Sequence, residues 1–238
     1  MFSVGSLRAR WFAAVLGAVA FAAPVAATAG DTVQIFGGGQ FDYASYGFFG
    51  ATVALPGATI GNGMALRAYA DAGGYNYTSG LVGGVKANFR GAELDAVYQL
   101  NHNNGFWSDF GLGVNDTYTG LTPYDPSNPL RGDQVELRVS LDGGAISGPW
   151  RADWFGFYGP RIGDYEAMLG GTHALSPAWR LGLQVYGEGN PNYRLYQVGP
   201  YAGVTFAKDS ELQFSAGEAW ESGYATRAYV KALVSARL

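Results

Sequence analysis

Read in steps of two from Leu238 backwards, the chain shows Leu238, Ala236, Val234, Ala232, Val230 and Ala228. The skipped positions hold Arg237, Ser235, Lys231, Tyr229 and Arg227, with Leu233 the apolar exception. Only an extended strand, whose side chains alternate between faces, separates two such sets. The same alternation recurs upstream. Val135, Leu137, Val139 and Leu141 oppose Gln134, Glu136, Arg138, Ser140 and Asp142. Leu66, Ala68 and Ala70 oppose Arg67, Tyr69 and Asp71; Trp179, Leu181, Leu183 and Val185 oppose Arg180, Gln184 and Tyr186.

Turn residues divide the chain into twelve such segments, at 32–42, 46–55, 64–74, 84–101, 105–116, 133–143, 149–158, 164–174, 179–188, 193–207, 210–219 and 224–238. Apolar residues on one face and polar ones on the other, over an even number of strands, predict an all-β fold. It is a transmembrane antiparallel β-barrel of about 12 strands in a bacterial outer membrane. An even count puts both ends of the barrel segment on the periplasmic side. The longest connection, Asp116 to Asp133, then faces outward. Asn101–Gly105, Ser147–Gly148, Ser176–Pro177 and Lys208–Asp209 are short periplasmic turns, with Pro56–Gly63 a longer one. The fourth segment changes phase. Its polar set is Lys86, Asn88 and Arg90 before Gly91, and Glu93, Asp95 and Gln99 after it. Either a bulge near Gly91 shifts the register, or the first part projects beyond the membrane, where facing is unconstrained.

The first residues carry a different pattern. Arg8 and Arg10 precede an apolar run from Trp11 to Ala23, and Ala27-Thr28-Ala29 has the small-x-small form of a cleavage site. Residues 1–29 are therefore expected to be a cleaved signal peptide and 30–238 the barrel. The run is short for a membrane helix and is broken by Pro24.

Composition agrees with a lipid-facing exterior. Glycine numbers 37, aromatic residues make up 15% and charged residues only 14%, and cysteine is absent. A soluble β-sandwich shares the turn spacing but normally carries a more charged surface. The net charge of −4 offers no basic patch for nucleic acid.

Glycine and aromatic patterns also resemble a known family. They are Gly37-Gly38-Gly39, the run Gly50-Ala51-Thr52-Val53-Ala54-Leu55-Pro56-Gly57, Asn128-Pro129-Leu130-Arg131-Gly132, Gly187-Glu188-Gly189-Asn190, and the closing segment from Gly223-Tyr224. The chain is similar to the BcsS family of outer-membrane proteins found with bacterial cellulose-synthesis clusters. That resemblance implies a role in making, exporting or anchoring cellulose or a related exopolysaccharide. The partners it implies are a glucan or the cellulose-synthase export machinery, beside outer-membrane lipid. It carries over no functional residues.

No catalytic constellation stands out. The two histidines, His102 and His173, fall at periplasmic turns, away from outer-leaflet lipid chemistry, and two histidines without cysteine are too few for a usual zinc site. Neither metal nor cofactor is expected. Carboxylate pairs such as Glu93 with Asp95 recur on any strand, and nearby arginines offer ion pairing instead. The polar faces predict the lumen lining: Arg67, Tyr69, Asp71, Glu93, Asp95, Trp107, Asp109, Glu136, Arg138, Arg151, Asp153, Arg180, Tyr186, Tyr201, Arg227 and Lys231. Among the inward rings, Tyr69, Trp107, Phe155, Phe157, Tyr186 and Tyr201 could stack on sugars or simply fill space. Trp150, Trp154, Tyr158, Trp179 and Trp220 read as lipid-facing or interface aromatics. Twelve strands leave a lumen narrower than that of 16–18-stranded porins. The expected function is a non-enzymatic accessory of cellulose production acting as a narrow pore or anchor. The alternatives are a small-solute or oligosaccharide porin unrelated to cellulose, and an outer-membrane lipid hydrolase.

Overall fold

The computed structural model describes residues 32–42, 44–102, 104–190 and 193–238. The expected signal peptide lies outside the described residues. Twelve strands follow one another: β1 (Val33–Phe41), β2 (Ala44–Ala54), β3 (Gly63–Ser79), β4 (Gly83–His102), β5 (Phe106–Thr122), β6 (Gly132–Ser147), β7 (Trp150–Gly159), β8 (Asp164–Ala174), β9 (Trp179–Asn190), β10 (Tyr193–Ala207), β11 (Ser210–Glu221) and β12 (Arg227–Arg237). Each pairs antiparallel with its neighbours in sequence, and β12 pairs with β1, so the sheet closes on itself. Closure leaves no strand edge, which is the condition for crossing a bilayer with strands. Gln34 lies opposite Arg237 and Ile35 opposite Ala236, so the closing strand is the alternating C-terminal one.

The barrel is inside-out relative to a soluble protein. Leu112 and Leu137 on the outer face are each 58% exposed, whereas Asp95 on the inner face is 1% exposed. Registered pairs run Ile35–Ala51–Ala68–Leu94–Val114–Leu137 around the outside. The parallel row Gln34–Thr52–Arg67–Asp95–Gly113–Arg138 runs around the inside. Trp150 and Trp179 are exposed at the periplasmic edge, with Tyr158, Tyr196 and Trp220 towards the opposite edge. Such amphipathic rings suit the lipid–water boundary.

The structure corrects the expected strand ends. β3 to β6 run beyond 74, 101, 116 and 143, and the connection expected from Asp116 shrinks to residues 123–131. There is no bulge at Gly91. The β3–β4 ladder is regular from Gly63↔Gln99 to Ser79↔Gly83, and the β4–β5 ladder from Lys86↔Thr122 to His102↔Phe106. Lys86, Asn88 and Arg90 therefore stay on the outer face while Val85 and Ala87 are buried inside. The face is unchanged; its solvent changes. Above the bilayer water replaces lipid outside, so the outer face becomes polar and the inner one apolar. The outer rim is thus taller along β3–β6 than along β7–β12.

If the apolar face meets lipid, charge is tolerated by height. Leu112→Arg, mid-strand on β5, is expected to destabilise the barrel in vesicles by about 2–4 kcal/mol, and Asn88→Arg above the bilayer by about 0–1 kcal/mol. Denaturant titration of both variants in the same vesicles checks this.

Candidate functional site: the lumen

The inner faces enclose a cavity of about 860 Å³ that extends from Gln34, Asp109 and Ser235 to Asn128 and Leu130 of the outer loop. Its wall carries four charged groupings. In the first, Arg67 Nε pairs with Asp95 at 2.8 Å and its Nη2 donates to Ser140 Oγ at 2.7 Å. In the second, Arg138 pairs with Glu93 at 3.0 Å, with Glu136 at 3.4 Å and with Asp164. Tyr69 donates to Glu93 at 2.7 Å. In the third, Arg151 pairs with Asp153 at 2.7 Å and Glu211 at 3.3 Å, while Arg180 pairs with the same two carboxylates and donates to Thr172 and Tyr201. In the fourth, Lys231 sits 3.6 Å from the Tyr186 ring centre, in the field of Glu166 and Glu188.

Missing side chains make these reaches possible. Arg67 spans from β3 to β6 past Gly111 and Gly113 of β5; a Cβ on Gly113 would collide with the Asp95 carboxylate. Arg180 lies directly opposite Gly203, and a Cβ there would meet both Arg180 and Glu211. Burying these charges is tolerable because each arginine meets carboxylates on more than one strand, or a carboxylate and a hydroxyl. Arg151 to Glu211 crosses from β7 to β11, so this grouping narrows the periplasmic third. From the other side Gly61 of the 55–62 connection donates its N–H to Gln99 Oε1 at 3.0 Å, and Ile60 beside it is buried.

The sixteen residues named from sequence are distributed as follows. Arg67, Tyr69, Asp71, Glu93, Trp107, Asp109, Arg138, Arg151, Asp153, Tyr186, Tyr201 and Lys231 line the cavity. Asp95, Glu136 and Arg180 are buried in the ion-paired wall. Arg227 is exposed at the outer rim. Four of the six inward rings named from sequence have a job already. Arg151 lies over Trp107, Arg138 over Phe157, Arg180 over Tyr201 and Lys231 over Tyr186, at 3.6–5.4 Å, the range that includes Arg90 over Tyr118 outside. They seat cations.

A second set of rings escaped the sequence reading. Phe36, Phe48 and Tyr46 line the cavity along β1 and β2, with centroids 6.4 and 6.2 Å apart. Phe89, Tyr75 and Tyr77 continue along β3 and β4, at 6.4 and 6.1 Å. Phe36 sits opposite Gly50, Phe48 opposite Gly38 and Phe89 opposite Gly73. A Cβ on Gly73 would lie 2.6 Å from both Phe89 Cζ and Tyr46 Cβ, so the two runs meet over that glycine. The signal was present, as glycines facing aromatics, but it becomes visible only once neighbouring strands are in register.

The outer loop is tied down. Asp125 accepts from the Ser127 hydroxyl at 2.6 Å, the Ser127 N–H at 3.0 Å and the Tyr77 hydroxyl at 2.9 Å, and Asn128 donates to Tyr77. The Ser127 hydroxyl, above all, holds the Asp125 carboxyl down to about 2. Tyr224, between β11 and β12, donates to the Asn76 carbonyl of β3 at 3.3 Å. His173 packs edge-on against Trp150 at 4.7 Å at the periplasmic end, and His102 ends β4. Among the described residues, no group of three His, Asp or Glu side chains is arranged to hold a metal ion.

A family model described as Cellulose biosynthesis protein BcsS matches residues 34–238. No curated protein matches the chain. Among solved structures, the translocator domain of the autotransporter NalP from Neisseria meningitidis is 12% identical over 98% of this chain and 97% of that one, with a TM-score of 0.50. The beta domain of the Bordetella autotransporter Brka is 13% identical over 87% and 98%, also at 0.50. The KdgM porin is 10% identical over 86% and 99%, at 0.47. These likenesses are to outer-membrane barrels.

Two outcomes test the wall. Arg180→Ala leaves Asp153 and Glu211 short of a buried cation and is expected to lower stability by about 3–5 kcal/mol. Arg237→Ala, at the more exposed pair with Asp209, is expected to cost under about 1 kcal/mol. Urea midpoints of the refolded proteins compare them. For the loop, a carboxyl held below its ordinary value supports contacts fully above about pH 4, and they are lost as pH falls through its folded value. The Ser127 amide should stay protected from hydrogen exchange, relative to its intrinsic rate, at pH 5 and lose that protection near pH 2; in Asp125→Asn the drop should vanish.

Proposed function

This chain belongs to the BcsS family of cellulose biosynthesis proteins, and on that premise we propose that its barrel is a non-catalytic accessory that admits a glucan strand at the outer membrane. The carrying observation is the lumen, whose lining combines ion-paired and hydrogen-bonding groups with a run of rings on β1–β4 that, among the described residues, no cation covers. An open porin lumen would pass mixed solutes. Here the ion pairs of Arg151 and Arg180 and the inturned 55–62 connection constrict the periplasmic end. That shape suits one extended chain better than bulk diffusion.

The partners in this reading are outer-membrane lipid around the wall, a glucan within it, and the synthase export machinery on the periplasmic side. Hydrolysis finds little support. His173 packs on Trp150 rather than facing the lumen. Glu93, Glu136 and Asp95 are each taken up by an arginine in the ion-paired wall.

Deleting the gene is expected to reduce extracellular cellulose strongly, with recovery on complementation; unchanged cellulose removes the reading. In planar bilayers the purified barrel is expected to conduct well below the level of 16–18-stranded porins. A large open-pore current would favour a general porin.

A further inference from the structure

We infer that the rings climbing from Phe36 through Phe48, Tyr46, Phe89 and Tyr75 to Tyr77 form a binding track for a neutral, β-linked glucan chain. The inference rests on the function proposed above and assigns it to named side chains. Within each run of three the rings step by 6.1–6.4 Å, the two runs meet over Gly73, and all six line the same cavity. Glycines 38, 50 and 73 lie opposite three of them, so the wall beneath is bare and the rings stand as its surface. Among the described residues, cations cover Trp107, Phe157, Tyr186 and Tyr201 but none of this set. The cation-covered rings are spoken for; these are available.

The chemistry of a β-linked glucan matches that division. Its pyranose rings are equatorially substituted, so both flat faces present C–H bonds and the hydroxyls point to the edges. The chain is a ribbon with apolar faces and polar margins. Apolar faces can lie on the track while edge hydroxyls bond polar groups of the same cavity, Asp71 beside Phe48 and Glu166, Gln184 and Glu188 on β8 and β9. Among the described residues, the arginines lining the cavity are already ion-paired, so the wall offers a polyanionic saccharide little free positive charge. An α-linked chain coils and does not present such a flat ribbon face to successive rings.

The test is binding of cellohexaose to the full-length barrel folded in detergent, measured by calorimetry, against maltohexaose and hexagalacturonate. Cellohexaose should bind and the other two should not bind measurably. Phe48→Leu and Tyr75→Leu keep apolar volume but remove the ring, and each should weaken binding by about five- to tenfold; Phe48→Tyr should restore it. Tyr158→Ala, on the outer face, should leave it unchanged. Retained heat-shifted gel mobility verifies folding in every variant. Absence of cellohexaose binding, equal binding of the comparators, or full affinity in the Phe48→Leu/Tyr75→Leu double variant overturns the inference. The two readings fail separately. Cellulose lost on deletion without oligosaccharide binding sinks only the track, while ring-dependent binding with cellulose unchanged on deletion sinks only the role in cellulose production.

Discussion

The structure depends on one constraint: no backbone N–H or C=O may be left unpaired in hydrocarbon. A sheet meets it only by closing, and β12 on β1 is the seam. Closure fixes which side chains share a ring around the barrel. Once the ladder is registered, Arg67, Asp95, Gly113 and Arg138 fall into one inner row whatever their separation in sequence. The ion-paired wall follows from that row. So do the glycine gaps, because long side chains crossing a curved inner surface need places where no side chain stands.

Glycine therefore has two uses here. Opposite an arginine, as Gly113 is to Arg138 and Gly203 to Arg180, it opens space for charge to cross strands. Opposite an aromatic, as Gly50 is to Phe36 and Gly73 to Phe89, it lets a ring lie over the wall. The first use consumes the lumen with buried, paired charge; the second leaves apolar surface beside it. The two meet on β3 and β4, where Arg67, Asp95 and Glu93 share strands with Tyr75, Tyr77 and Phe89.

What was legible in sequence follows from solvent. Where lipid lies outside and polar groups inside, as at Val135 to Asp142, period-two alternation gives both the strand and its facing. Above the bilayer, at Lys86 to Arg90, water lies outside and the polarity of each face inverts, so the outer ends of β3 and β5 were misplaced, by six residues on β5. Inward positions could be named one by one, because facing is a local property. Their occupation could not. That Arg138 would take the face of Phe157 and Arg180 that of Tyr201 depends on which strands are neighbours. The uncovered set at Phe36, Phe48 and Tyr46 was hidden for the same reason, since an isolated phenylalanine in a β-strand looks equally fit for lipid.

The uneven rim has a geometric consequence. With β3–β6 standing above the rest and Tyr224 hooked to Asn76 at their flank, the mouth is cut on a slant, with a high back wall and a low sill along β7–β11. A flexible polymer leaving such an aperture bends over the sill instead of rising along the barrel axis. On the proposed reading, the cut of the mouth gives an emerging glucan a heading parallel to the cell surface.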